Sequence, residues 1–154
     1  MKQGPEFKRI EDNMRSGQLA AHQFLGTDTR SLKDIIRHDQ LVLEPLGITN
    51  QDIANRMRYF TEKAAGGLGL QVVDDVFEVE REEHKGDIPC PFADNVQASK
   101  SITRVKNLRT GRSVSWSDLN IHLVDEHGFF EGHGAPFRVD PAEFVEVLEI
   151  KASK

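Results

Sequence analysis

An α+β fold is predicted by three features of the sequence. Apolar residues step by three and four through residues 1–69, β-branched and aromatic residues take over from Leu70, and helix-capping signals return after Trp116. Strands grouped together between helices argue for an antiparallel sheet, because a doubly wound parallel sheet would alternate strand with helix. The expected architecture is an N-terminal helical segment over residues 1–69, then a small antiparallel sheet of about three strands and two C-terminal helices over residues 70–154, all sharing one core.

The helical segment is read from its stripes and stops. Short helices are predicted over Phe7 to Met14 and Leu19 to Leu25, separated by Ser16-Gly17 and ended by Gly26. From Ser31 to Leu46, the residues Leu32, Ile35, Ile36, Val42, Leu43 and Leu46 line one side of a helix that Pro45 and Gly47 terminate. Thr49 opens the next helix as N-cap, with Asp52 placing negative charge near its positive end. Ile53, Met57, Phe60 and Ala64 form its apolar face, and Gly66-Gly67-Leu68-Gly69 ends it.

Val72, Val73, Val76, Phe77 and Val79 then read as one strand. Ile88-Pro89-Cys90-Pro91-Phe92 must be extended, since each proline steers its predecessor away from helix. Ser101 to Lys106 and Arg112 to Trp116 form a hairpin through Asn107-Leu108-Arg109-Thr110-Gly111. A helix follows at once, with Ser115 or Ser117 as N-cap, Asp118 in its first turn, Leu119 and Leu123 on its inner face and Gly128 at its end. Asp140-Pro141 opens the last helix, which buries Phe144, Val147 and Leu148.

Composition excludes several classes. With 154 residues, 38% apolar and 29% charged, the chain suits one ordinary domain and lies far from the disordered regime. Its uncharged apolar stretches fall well short of the roughly 20 residues that span a bilayer, so no membrane-spanning role is expected. Met1-Lys2-Gln3-Gly4-Pro5-Glu6-Phe7 carries no apolar run behind its charge, which speaks against a secretory leader, and Gly4-Pro5-Glu6-Phe7 has the look of a cloning remnant. The single cysteine, Cys90, cannot form an internal disulfide and suits a reducing compartment, with the cytoplasm expected.

The net charge of −5 is distributed in blocks. Residues 70–99 carry 8 acidic and 2 basic side chains, residues 100–116 carry 5 basic and no acidic ones, and residues 117–154 carry 8 acidic and 3 basic ones. Lys100, Arg104, Lys106, Arg109 and Arg112 thus follow a strand bearing Glu78, Glu80, Glu82 and Glu83. Opposite charges on neighbouring strands favour their pairing. A nucleic-acid surface on Arg104, Lys106, Arg109 and Arg112 is the competing reading, disfavoured by the acidic block beside it and the negative total. Leu46-Gly47-Ile48-Thr49 has the cadence of a helix-turn-helix start, but the following segment runs into glycines and a strand rather than a recognition helix.

The most specific cluster is histidine: His122, His127 and His133 lie within twelve residues, with His84 and Cys90 upstream. His122 and His127 have four residues between them, within the spacing of paired zinc-ligating histidines. Positions five apart on a straight helix differ by about 140°, so both rings are expected to meet one ion only if the helix loosens before Gly128. Cys90, His122, His127 and either His84 or His133 would make a tetrahedral set suited to zinc. Asp118 or Glu126, each about one turn from His122, is placed to orient its ring. The bland alternative has His127 favoured at a helix C-terminus by the dipole and His122 half-buried. Cys90 beside a histidine also raises nucleophilic chemistry, although no surrounding signature supports it.

In the loop after the histidines, Phe129, Phe130 and Phe137 either turn back onto the core or form an exposed binding patch. The leading expectation is a non-catalytic intracellular binding protein. Its partner would be another protein or a second copy docked through the helical stripes, with zinc as a structural component. The alternatives are a metal-dependent enzyme centred on His122 and His127, and a nucleic-acid module using the basic hairpin.

Overall fold

The computed structural model describes residues 3–67 and 69–153; Met1, Lys2, Leu68 and Lys154 lie outside them. Helices α1 (Pro5–Ser16), α2 (Leu32–Leu43) and α3 (Asn50–Ala65) precede strands β1 (Gln71–Val73), β2 (Phe77–Glu82), β3 (Asp87–Pro89), β4 (Gln97–Ser99), β5 (Ile102–Asn107) and β6 (Ser113–Ser117). Helices α4 (Asp118–His127) and α5 (Pro141–Val147) complete an α+β fold. Among the described residues no helix is long and apolar enough to cross a membrane.

Local chemistry sets the helix boundaries. Ser31 caps α2 by accepting from the Asp34 amide, and Thr49 with Asp52 forms a reciprocal capping box on α3. α2 ends earlier than its stripe suggests, because Pro45 draws Glu44–Leu46 into a 3-10 turn. The short helix expected over Leu19 to Leu25 is a five-residue 3-10 segment, Gln18–His22, ended by Gln23 in the left-handed region at φ 55°.

The sheet has more strands than expected. β1, β2, β5 and β6 form an antiparallel sheet in the order β1-β2-β5-β6, and β3 with β4 forms a separate two-stranded sheet. The run from Leu70 to Val79, read as one strand, breaks at Asp74 and Asp75, whose positive φ values of 54° and 59° turn it back into a hairpin. Aspartate tolerates that conformation better than most residues, which is the signal the valines obscured.

One face of the four-stranded sheet buries Phe77, Val79, Val105, Val114 and Trp116 with α3 and α5 in the main core. On the other, Glu78 stands opposite Lys106 and Glu80 opposite Arg104, the latter paired at 3.3 Å. Arg109 meets Glu149 at 3.1 Å and Arg112 meets Glu146 at 3.0 Å. These exposed pairs contribute little stability, but they leave Arg104, Arg109 and Arg112 facing the protein's own carboxylates.

A second apolar cluster joins α1, α2, α4 and the β3–β4 sheet through Ile10, Met14, Leu32, Ile35, Leu123 and Phe129. Phe129 and Phe130 are fully buried, one in each cluster, so they are core residues rather than an exposed binding patch; Phe137 is half-buried. The glycines around them let the loop fold inward.

A buried polar network joins α2 and α4 to the loop after Phe130. Asp39 of α2, 1% exposed, receives both Nη atoms of Arg138 at 2.6 and 2.8 Å, and Arg138 also donates to the Glu131 carbonyl at 2.7 Å. The Glu131 carboxyl accepts from Asn120 Nδ2 at 2.6 Å. Burial pushes the Glu131 carboxyl up to about 8, against the pull of Asn120 and the nearby Arg138 charge.

The folded protein therefore retains a proton that the unfolded chain releases above its ordinary value of 4.5. This group's contribution to stability is complete below pH 4.5 and is lost as pH rises through about 8. Within that window the slope reaches about 1.4 kcal/mol per pH unit. Glu131→Gln, which stays neutral, is expected to flatten that part of the pH profile in urea denaturation. An unchanged profile would mean that Glu131 ionises in the fold without penalty.

Candidate metal centre

The centre is assembled from two segments. α4 starts at Ser117, whose hydroxyl accepts from the Asn120 amide, and remains helical to His127. Gly128, at φ 58°, and the Phe129 amide close its end onto Val124 and Leu123. Glycine is favoured there chiefly by conformation, since a Cβ would meet only the movable side-chain amides of Asn50 and Gln40. The helix presents His122 and His127 to the loop that joins β3 to β4.

That loop is stiff. Pro89 and Pro91 flank Cys90, whose amide bonds the Val96 carbonyl at 2.8 Å. Ala93 and Asn95 hold positive φ values of 60° and 65°, and the Val96 amide donates to Asp94 Oδ1 at 3.0 Å. Asp94 is thereby fixed with Oδ2 facing both imidazoles.

Asp94 Oδ2 lies 2.7 Å from His122 Nε2 and 2.8 Å from His127 Nε2, and Cys90 Sγ lies 3.6 Å from His127 Nε2. One donor atom from each of Cys90, Asp94, His122 and His127 lies within 4.8 Å of all the others, a group that could hold a metal ion. The imidazoles meet edge to face at 5.3 Å, and Phe92 stacks on His127 at 4.0 Å with Phe7 and Phe129 against its edges. Side-chain reach, rather than loosening of the helix, brings the two histidines together.

Cys90 is buried, while the side chains of Asp94, His122 and His127 retain 26%, 17% and 20% exposure. Desolvation opposes ionisation of Asp94, but hydrogen bonds from His127, the Val96 amide and His122 outweigh it and hold the carboxyl well below the usual carboxylate range. Burial pushes the Cys90 thiol up to about 12, with Asp94 adding to the rise and the Phe92 amide opposing it. A thiol held protonated is a poor nucleophile, so the pairing with His127 does not by itself activate Cys90.

Three of the expected ligands, Cys90, His122 and His127, converge, and the fourth place belongs to Asp94 instead of His84 or His133. His84 lies by Glu82 at 3.2 Å, and His133 sits on an exposed turn beside the His38 ring. Asp118 does not orient His122; it binds Arg81 through two bonds of 2.8 and 2.7 Å and accepts from Ser99. Glu126 is exposed on α4. Asp94 had a legible signal, since Cys90-x3-Asp94 matches the spacing of a cysteine pair in a zinc knuckle with a carboxylate replacing the second thiolate.

No protein-family model matches the chain, and no curated protein or solved structure proves similar to it.

Proposed function

We propose that the protein is a non-catalytic binding protein whose Cys90, Asp94, His122 and His127 hold a structural zinc ion. The observation that carries this is the convergence of four donors of zinc-ligating type from two distant segments. With bond lengths of about 2.0–2.3 Å, neighbouring donors of a tetrahedral zinc centre lie roughly 3.3–3.7 Å apart. The 3.6 Å between Cys90 Sγ and His127 Nε2 suits that frame, and the shorter Asp94 contacts are the hydrogen bonds a metal would replace. Four protein donors leave no coordination place for water or substrate, which separates this set from the three-ligand catalytic pattern. Zinc binding takes the proton from Cys90, so its affinity rises with pH.

Metal analysis of tag-free protein purified without chelator tests the reading. About one zinc per chain is expected, falling to background in His122→Ala/His127→Ala. Cobalt substitution is expected to give a thiolate charge-transfer band that Cys90→Ser abolishes. Absence of bound metal after incubation with excess zinc, with an unchanged melting temperature in the double variant, would sink the proposal. Rapid exchange of a metal-bound water would instead favour the metal-dependent enzyme.

A further inference from the structure

A cavity of about 220 Å³ opens between the 3-10 segment Gln18–His22, the start of α4 and the loop after Phe130, away from the four metal-ligating residues. Ile88, Phe24, Leu119 and Phe137 give it apolar walls, His22 and Ser117 also border it, and Glu131 supplies a carboxyl.

Glu131 is 3% exposed, and among the described residues its carboxyl has one hydrogen-bond partner, Asn120 Nδ2. A carboxylate offers about four acceptor positions and is costly to bury without donors. Arg138, the nearest cation, is already committed to Asp39 through two bonds and to the Glu131 carbonyl through a third. Asn120 already gives Nδ2 to Glu131, and its Oδ1, which accepts from the Ser117 amide, has no hydrogen to offer. Glu131 also holds φ at 68°, a conformation that a non-glycine residue adopts against a steric cost and that gathers at ligand sites. The loop is locked in place by Gly132, whose amide bonds the Phe24 carbonyl at 2.9 Å and where a Cβ would fall 2.4 Å from the Leu25 carbonyl oxygen.

We infer that this cavity binds a small organic amine, its ammonium group ion-paired with Glu131 and its apolar body held against Phe24, Leu119 and Phe137. Held neutral in the empty cavity, Glu131 avoids that cost, and an entering cation supplies the countercharge and the donors that let it ionise. Binding converts a protonated Glu131 to carboxylate, so a proton leaves for solvent as the ammonium enters. Besides Glu131, the titratable groups around the cavity are His22 on its wall and the mutually paired Asp39 and Arg138 behind it.

Benzylamine is a suitable probe, with benzyl alcohol as its neutral counterpart, followed by calorimetry and amide NMR on the full chain. Saturable benzylamine binding is expected, with shifts centred on residues 119, 131 and 137 and with proton release in buffers of different ionisation enthalpy. Benzyl alcohol, and benzylamine with Glu131→Gln, are each expected to bind about tenfold more weakly or worse. Ala21→Trp, at an exposed position on the cavity wall, is expected to block binding without changing the melting temperature. The inference is overturned if benzylamine shows no saturable binding, if benzyl alcohol binds equally well, or if either variant binds like the wild type.

Discussion

Chelation of the zinc proposed at Cys90, Asp94, His122 and His127 is expected to lower stability by about 4 kcal/mol or more, the amount mass action supplies when free zinc is about a thousand times its Kd. The loss should be uneven. β3 and β4 are three residues each, too short for a two-stranded sheet to persist unaided, and they depend on the second apolar cluster and the link from Cys90 and Asp94 to α4. Amide exchange over residues 87–99 is therefore expected to accelerate strongly on chelation, and α1 should loosen with it because Phe7 packs on Phe92. β2 and β5, paired along six residues within the main core, should retain protection. Equal loss everywhere would place the metal in the global folding unit, and no loss anywhere would remove its structural role.

Arg138→Leu is expected to destabilise the fold by about 3–5 kcal/mol, because it strands the Asp39 carboxylate in a buried position without its ion-pair partner. Urea denaturation reads the effect. Asp39→Leu/Arg138→Leu should recover most of the loss, since removing both charges also removes the uncompensated one. A cost below about 1 kcal/mol for the single variant would mean that water reaches Asp39 and solvates it.

Much of this architecture was written in local patterns. The caps at Thr49 and Asp140 act within three residues and could be read directly, whereas the structure chose Ser117 over Ser115 and supplied the cap at Ser31, which the stripe alone did not mark. The hairpin of β5 and β6 and the stop at Gly128 were legible for the same reason. The split between β1 and β2 was not, because the valines on both sides of Asp74-Asp75 have the composition of one strand and only the turn conformation divides them. For Phe129 and Phe130 the glycine-rich loop favoured the core over an exposed patch, but only the packing decided it, since composition does not say which way a loop folds.

The candidate centre divides along the same line. The spacing of His122 and His127 belongs to one helix and was visible in the chain, whereas the choice among distant donors depends on how the β3–β4 loop docks on α4. That docking places Asp94 against both rings and leaves His84 and His133 elsewhere. The partnership of Asp39 with Arg138, 99 positions apart, had no local signature either. Periodicity and capping are encoded over one or two turns, while ligand sets and buried ion pairs form where packing brings separate segments together.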